Sequence, residues 1–128
     1  MECGTLEITG GVHITQQDIR QYQLAKSAIY SAIIVLLRLK GISLSAIDTL
    51  YISGGFSTGF NINSAVETGL IPKELCGNCV PLNNSSLLGT IKYACKKSNL
   101  SSFTEKAEYI DLSLNPEFSD LFIENMMF

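Results

Sequence analysis

Two consecutive glycines, Gly54 and Gly55, are the residues of this sequence best placed to bind a ligand. They follow residues 47–53, whose β-branched and aromatic side chains predict a buried strand of a mixed or parallel sheet. A glycine has no Cβ, so a ligand can approach its backbone more closely than that of any other residue. Ligands of open α/β sheets bind where the strands end. A tight turn requires the same two glycines, so this pattern alone leaves a ligand site and a simple turn both open.

Cys76 and Cys79 have the CxxC spacing that is found in metal sites and in redox-active dithiols. Zinc and iron–sulfur sites usually take about four protein ligands, and the sequence has no second pair at ligand spacing. A redox CxxC opens a helix after a strand, whereas this one follows Pro72 in a predicted loop. We therefore favour a structural role over metal or redox chemistry. The single histidine, His13, has no ligand spacing around it, and the sequence predicts no metal-binding and no catalytic residue.

The composition restricts the partners of the protein. Charged residues make up 16% of the chain and hydrophobic residues 46%, against roughly 25% charged in an average soluble protein. This deficit predicts either a large core or a surface that is covered by a neighbour. A net charge of -3 without a basic run argues against nucleic acid as a partner.

The sequence also argues against a membrane. Its most apolar stretch, residues 28–37, is well short of the roughly 20 residues needed to cross a bilayer. The first residues lack the apolar region of a signal peptide. Four cysteines without such a signal are typical of free thiols in a reducing compartment. We therefore expect a cytoplasmic protein without a membrane partner.

Hydrophobic periodicity predicts the elements that must position the two glycines. Residues 7–14 favour a strand or hairpin arm. The long helix that follows begins at a capping box formed by Thr15 and Asp18 and ends at Gly41. The remaining predicted elements are the strand at 47–53, a helix at 63–68, a strand at 80–82, a helix at 85–97, a strand at 107–114 and a helix at 116–127. This order predicts one layered α/β domain over residues 1–128.

Several segments carry motifs that occur together in one known family. They are residues 14–20 and 23–29 at the start of the long helix, 51–56 around the glycines, 65–72, 83–89, 109–113, and the residues Phe118, Met127 and Phe128. In this order and at this spacing they resemble the C-terminal ASKHA-type domain of the ATP-dependent reductive activators of corrinoid proteins. The resemblance covers nearly the whole chain from about Val12, and a set of motifs in order is far more specific than any one of them.

The resemblance implies a fold. It is a ribonuclease-H-like (actin-like ATPase) half-domain of the α/β class, with a mixed sheet flanked by helices. In that superfamily, which includes acetate and sugar kinases, Hsp70 and actin, two such halves close on ATP. The chain is then expected to be the C-terminal half-domain of a larger corrinoid-activating protein.

The resemblance also implies cofactors and partners. Full-length members use ATP, with Mg²⁺, to drive an electron onto the inactive Co(II) of a corrinoid protein and return it to Co(I). Their 2Fe-2S cluster is expected in an N-terminal region outside this chain. The expected partners are the remainder of the activator, the corrinoid protein and a second copy in a homodimer. The alternative function is a non-catalytic module of the same fold that makes only dimer or corrinoid-protein contacts.

The site implied by the resemblance is the corner after the predicted strand. The nucleoside of ATP is expected to lie against Gly54 and Gly55, and the cofactor-binding set also includes Ser53, Phe56 and Ser57. Ser57 departs from the family's pattern, which often has glycine at this position.

Lys26 lies on the long helix where the family also tends to have lysine. Contact with the phosphate or ribose of a nucleotide is one interpretation of this residue. A solvated or partner-facing lysine is the other, and we favour the second.

Overall fold

The computed structural model describes residues 4–96 and 104–128, apart from the side chains of Phe56 and Lys96. The helices that lie fully within this part are α1 Gln16–Leu39, α2 Ile62–Glu67, α3 Ser85–Lys96 and α4 Pro116–Glu124. The strands are β1 Thr5–Glu7, β2 His13–Thr15, β3 Leu50–Ile52 and β4 Cys79–Pro81. Short 3₁₀ turns lie between them. The mixture of helices and strands confirms the α/β class.

The central helix, α1, begins as the sequence predicts. The Thr15 backbone N–H donates to the Asp18 carboxylate at 2.9 Å, and the Asp18 N–H donates to the Thr15 hydroxyl at 3.2 Å. These two bonds form the predicted capping box and satisfy N–H groups that have no partner within the helix. With 24 residues, α1 runs about 36 Å at 1.5 Å per residue.

The end of α1 is also as predicted. Gly41 has a left-handed φ of +65°. Its N–H donates to the carbonyl of Arg38 at 3.0 Å, and the next N–H, of Ile42, donates to Leu37 at 2.9 Å. This pair of bonds is a Schellman motif, which ends a helix at a residue without a Cβ.

The strands form two separate two-stranded sheets. β1 and β2 pair antiparallel as a hairpin, whereas β3 and β4 pair parallel. The hairpin is confirmed, but residues 8–12, in the middle of the predicted range 7–14, form its turn and not a strand. The strand at residues 80–82 is confirmed and shifted by one residue. A single mixed sheet is not formed among residues 4–96 and 104–128, because the hairpin and the parallel pair share no ladder of hydrogen bonds.

β3 is shorter and more exposed than predicted. Only Leu50–Ile52 has strand geometry, and Tyr51 between them is 62% exposed. The carbonyl of Ile47 accepts a hydrogen bond from the side chain of Asn78. The ladder with β4 begins where Leu50 pairs with Cys79 and does not reach Ile47. The prediction of a buried strand over 47–53 is wrong in both its length and its burial.

The strand predicted at residues 107–114 is wrong. Leu112–Leu114 forms a 3₁₀ turn, and the carboxylate of Asp111 accepts a hydrogen bond from the N–H of Ser113 at 3.0 Å. Such a side-chain bond competes with strand pairing. Tyr109 and Leu114 are 87% and 81% exposed, so the apolar alternation has no sheet to pack on in the described part of the chain.

The core lies where α2 and the turn after it meet β3. Its buried residues are Ala65, Leu70, Ile71 and Leu75. Half-buried apolar side chains from α1, β3 and the loop before α2 pack around them, among them Ile33, Leu50, Ile52 and Phe60. This packing holds β3 in place, and therefore also the corner that follows it.

Helix α4 packs against α1 by a series of polar contacts. Asn115 caps α4 by accepting the N–H of Phe118, with Pro116 in the first turn. The buried hydroxyl of Ser27 on α1 donates to the carbonyl of Phe122.

The helix predicted at 116–127 is confirmed but ends at Glu124. Lys97, where the predicted third helix ends, lies outside the described residues.

Many large apolar side chains remain exposed. Leu87, Leu88 and Ile91 on α3 are each about half exposed, and so is Ile29 on α1. Monomeric proteins rarely leave contiguous apolar surface uncovered. Of the two explanations for the low charge content, the structure therefore favours a surface that is covered by a neighbour over a large core.

Helix α1 is, by length and composition alone, long and apolar enough to cross a membrane. The ten-residue apolar stretch considered in the sequence did not indicate this. The buried side of α1 carries Lys26, Ser27 and Ser31, whose polar groups lie inside the protein. The core helix of a soluble protein meets the same length and composition criterion.

Ser27 and Ser31 provide a matched test of the α1–α4 contact. Both are fully buried, but Ser27 is hydrogen-bonded and the Ser31 hydroxyl has no partner among the described residues. Ser27→Ala should lower the free energy of unfolding by about 1 kcal/mol, and Ser31→Ala should cost nothing or stabilise, because it removes an unsatisfied hydroxyl. Urea denaturation measures both. Equal losses for the two variants would contradict the packing described for α4.

Candidate functional site

The corner after β3 depends on the backbone of Gly54. This residue has φ +102° and ψ 178°, a conformation that is essentially restricted to glycine. Gly55 begins the 3₁₀ turn Gly55–Ser57 and does not have a left-handed φ. A Cβ built on either glycine meets no atom within 4 Å. The corner therefore presents bare backbone to open space, as a closely approaching ligand requires.

Ser57 lies beneath this corner. It is 6% exposed, and its hydroxyl lies 2.7 Å from the carbonyl of Gly54 and also contacts the carbonyl of Leu82. Leu82 follows β4, and its N–H donates to Ile52 at 2.7 Å. Ser57 thus ties the ends of the two parallel strands together. Glycine at this position would lack the hydroxyl that makes both contacts.

Ser53 connects the corner to the next helix. Its hydroxyl shares a hydrogen bond with the hydroxyl of Ser85, the first residue of α3. The side chain of Phe56, the remaining residue of the predicted set, lies outside the described part of the structure. The predicted residues therefore have different positions: the two glycines face open space, Ser53 lies at the surface and Ser57 lies beneath.

An open apolar cleft of about 950 Å³ adjoins Gly55. One wall is α1, and the other is formed by the loop before α2 and by α2 itself. The hydroxyls of Tyr22 and Thr68 are hydrogen-bonded at 2.5 Å and join the two walls. The lining residues are Tyr22, Ala25, Ile29, Gly55, Thr58, Gly59, Phe60, Asn61, Ser64, Ala65, Thr68 and Leu70. The volume suits a ligand the size of a nucleoside.

Sequence reasoning missed the α1 wall of this cleft. Tyr22, Ala25 and Ile29 recur at helical spacing, which predicts a face packed in a core. In the structure all three are exposed and line the cleft. The available signal was the width of the apolar face of α1, which is large enough to be covered on more than one side.

Lys26 is neither solvated nor partner-facing, so that prediction is wrong. It is 3% exposed, and its ammonium donates to the carbonyl of Met127 at 2.5 Å. The ring of Phe128 lies over it, with the centroid 4.6 Å from Nζ. Burial lowers the pKa of Lys26. Residues 127 and 128 thus lie against this part of α1 and contribute to the burial of Lys26.

The CxxC pair lies away from the cleft. Cys76 is within the 3₁₀ turn Lys73–Asn78, and Cys79 begins β4. The thiol of Cys79 donates to the carbonyl of Leu75 at 3.1 Å, and burial, with Cys76 nearby, raises its pKa, which lowers its reactivity. Cys76, Cys79 and Cys95 are free thiols. No cluster of three or more His, Cys, Asp or Glu residues forms within 4–96 and 104–128.

Comparison with known proteins shows the family of this chain. The model of the C-terminal domain of RACo, described as the ASKHA domain, matches residues 4–128. The chain belongs to this family. The corner at Gly54 and Gly55 and the cleft beside it are therefore features of an ASKHA domain.

A curated relative extends the comparison. The protein named "Corrinoid activation enzyme RamQ" from Eubacterium limosum is 30% identical over 118 residues. The match takes in 90% of this chain but only 20% of the relative. The chain thus spans about a fifth of the length of that protein.

The difference between the two glycines is testable. Gly54→Ala should lower the free energy of unfolding by about 1–3 kcal/mol, because alanine is strained at this φ and ψ. Gly55→Ala should change it by no more than about 0.5 kcal/mol, because the site is open and φ is ordinary. Chemical denaturation followed by circular dichroism gives both values. A larger loss of unfolding free energy for Gly55→Ala than for Gly54→Ala would contradict the described corner.

Proposed function

We propose that the chain is the nucleotide-binding C-terminal half-domain of an ATP-dependent reductive activator, which returns the Co(II) of a corrinoid protein to Co(I). The observation that carries the proposal is the apolar cleft that opens beside the bare backbone of Gly55. Membership of the ASKHA domain family supports nucleotide binding. The name of the relative supports a role in corrinoid activation.

In this proposal the adenosine of ATP lies in the cleft. The base packs against the apolar α1 wall at Ala25 and Ile29, and the backbone of Gly55 lies against the nucleoside. Asn61 and Ser64 line the opposite wall and offer polar groups to the base or the ribose. Apolar walls with a few convergent polar groups are typical of small-molecule sites.

The phosphates require groups that the cleft does not supply. We propose that a second ribonuclease-H-like half closes on the nucleotide and provides the phosphate and Mg²⁺ contacts, as in the superfamily. A 2Fe-2S cluster in another region would supply the electron. The exposed apolar surface of α1 and α3 supports such a neighbour, because a covered surface has little need of charge. We expect the complete protein to act in the cytoplasm.

A second candidate is a non-catalytic module that makes only dimer or corrinoid-protein contacts. The observation that favours it is α3, whose apolar residues Leu87, Leu88 and Ile91 are exposed along the helix. The two candidates predict different effects of a side chain at Gly55. Such a side chain would block a nucleotide site, whereas a docking module would keep its function.

Gly55→Val in the complete activator tests the proposal. The valine side chain would project into the open space at the mouth of the cleft, so the fold should persist while the nucleoside is excluded. We expect ATP affinity to fall at least about a hundredfold, roughly 2.7 kcal/mol. Isothermal titration calorimetry measures the affinity, and circular dichroism checks the fold.

Gly77→Val is the matched control. Gly77 also lacks a left-handed φ and has open space at its Cβ, but it lies outside the cleft. This variant should bind ATP as the wild type does. If folded Gly55→Val protein binds ATP with unchanged affinity, the corner is only a turn and the docking module becomes the better account.

The isolated chain should show no ATPase activity. Catalysis of phosphoryl transfer comes mainly from charges arranged around the phosphates, and in this proposal a second half supplies most of them. A coupled-enzyme assay of the purified chain should therefore stay at background. ATP turnover that co-purifies with the chain through successive columns would contradict a division of the site between two halves.

A further inference from the structure

Met127 and Phe128, which follow α4, form a strap across α1. The carbonyl of Met127 accepts from the ammonium of Lys26, and the Phe128 ring covers the same ammonium. The Phe128 ring also stacks on Tyr22, with centroids 6.2 Å apart and planes at 14°. Two residues after α4 therefore cover the ammonium of Lys26.

The strap itself has few contacts. Met127 and Phe128 are 75% and 70% exposed, so only one side of each touches the protein. Segments with little buried surface open at low free-energy cost. A buried charge is thus sealed by an element that can lift without unfolding the core.

The ammonium of Lys26 is poorly compensated beneath the strap. An ammonium has three donors, and the described contacts are one carbonyl and one ring. No carboxylate of the described residues forms an ion pair with it. A desolvated cation gains most from an anion placed directly against it.

A pocket of about 340 Å³ lies beside the ammonium. Lys26 and Gly69 lie in its lining, and a Cβ on Gly69 would come within 3.5 Å of Nζ. Lys73, Glu67 and Glu74 also line the pocket, but all three are exposed, so water and salt screen their charges more than that of the buried Lys26. The charge that dominates the interior is positive.

We propose that the strap is a lid over an anion site, and that lifting it exposes Lys26 to the phosphate group of a ligand in this pocket. The proposal rests on the proposed function where the ligand is a nucleotide. The Tyr22–Thr68 bond connects the two places, because both residues line the apolar cleft and Thr68 also lines the pocket. Strap and phosphate compete for the same ammonium.

Acetylation of Lys26 by an N-hydroxysuccinimide ester, measured by peptide mass spectrometry on the 128-residue chain, tests the lid. We expect slow labelling in the wild type and at least tenfold faster labelling in Phe128→Ala, with exposed Lys92 as internal reference. Phe128→Tyr keeps the ring and should keep the protection. Ile123→Ala removes an exposed apolar side chain of α4 and should change nothing.

Inorganic phosphate tests the anion site in the same chain. It should slow Lys26 labelling in Phe128→Ala severalfold without affecting Lys92. Lys26 labelling that is unchanged by Phe128→Ala, or that phosphate fails to slow, overturns the proposal.

A second arm, in the complete activator, identifies the source of the phosphate group. If the ligand is a nucleotide that also occupies the cleft, ATP slows Lys26 acetylation more than phosphate does, and Gly55→Val reduces the effect of ATP to that of phosphate. If ATP and phosphate protect equally, the lid stands with free phosphate as its ligand, and the proposed nucleotide site fails by itself.

Discussion

At the end of β3 the chain turns through φ +102° and ψ 178° at Gly54, a conformation that a residue with a Cβ adopts only under strain. The buried hydroxyl of Ser57 holds this turn by contacting the carbonyls of Gly54 and Leu82. The same contacts fix the end of β4 beside the end of β3. Everything proposed for the site depends on this corner, because it directs the backbone of Gly55 into the cleft with no side chain in the way.

The local features of the fold could be predicted from the sequence because they depend on neighbouring residues. The capping box at Thr15 and Asp18 and the end of α1 at Gly41 are decided within a few residues of each helix end. The position of the corner was predictable for the same reason, since a β-rich run followed by two glycines is a local signal. The resemblance to a family then suggested that this corner binds the nucleoside of ATP.

The missed features depend on contacts between distant residues. The bond of Lys26 to Met127 joins positions 101 residues apart, and the contact of Ser57 with Leu82 spans 25. No local pattern indicates either one. The strand predicted at 107–114 failed because apolar alternation is only half of the requirement for a strand. A neighbouring strand must also be present, and the side chain of Asp111 forms a turn instead.

The central claim is that a nucleoside lies against the Gly54–Gly55 corner and in the cleft beside it. Hydrogen–deuterium exchange of the complete activator, with and without ADP, tests this claim at the backbone itself. The account predicts that ADP slows exchange in peptides that cover residues 53–64, while peptides from the β1–β2 hairpin exchange as before. Saturating ADP that leaves residues 53–64 unprotected, with protection found elsewhere in the protein, would contradict it.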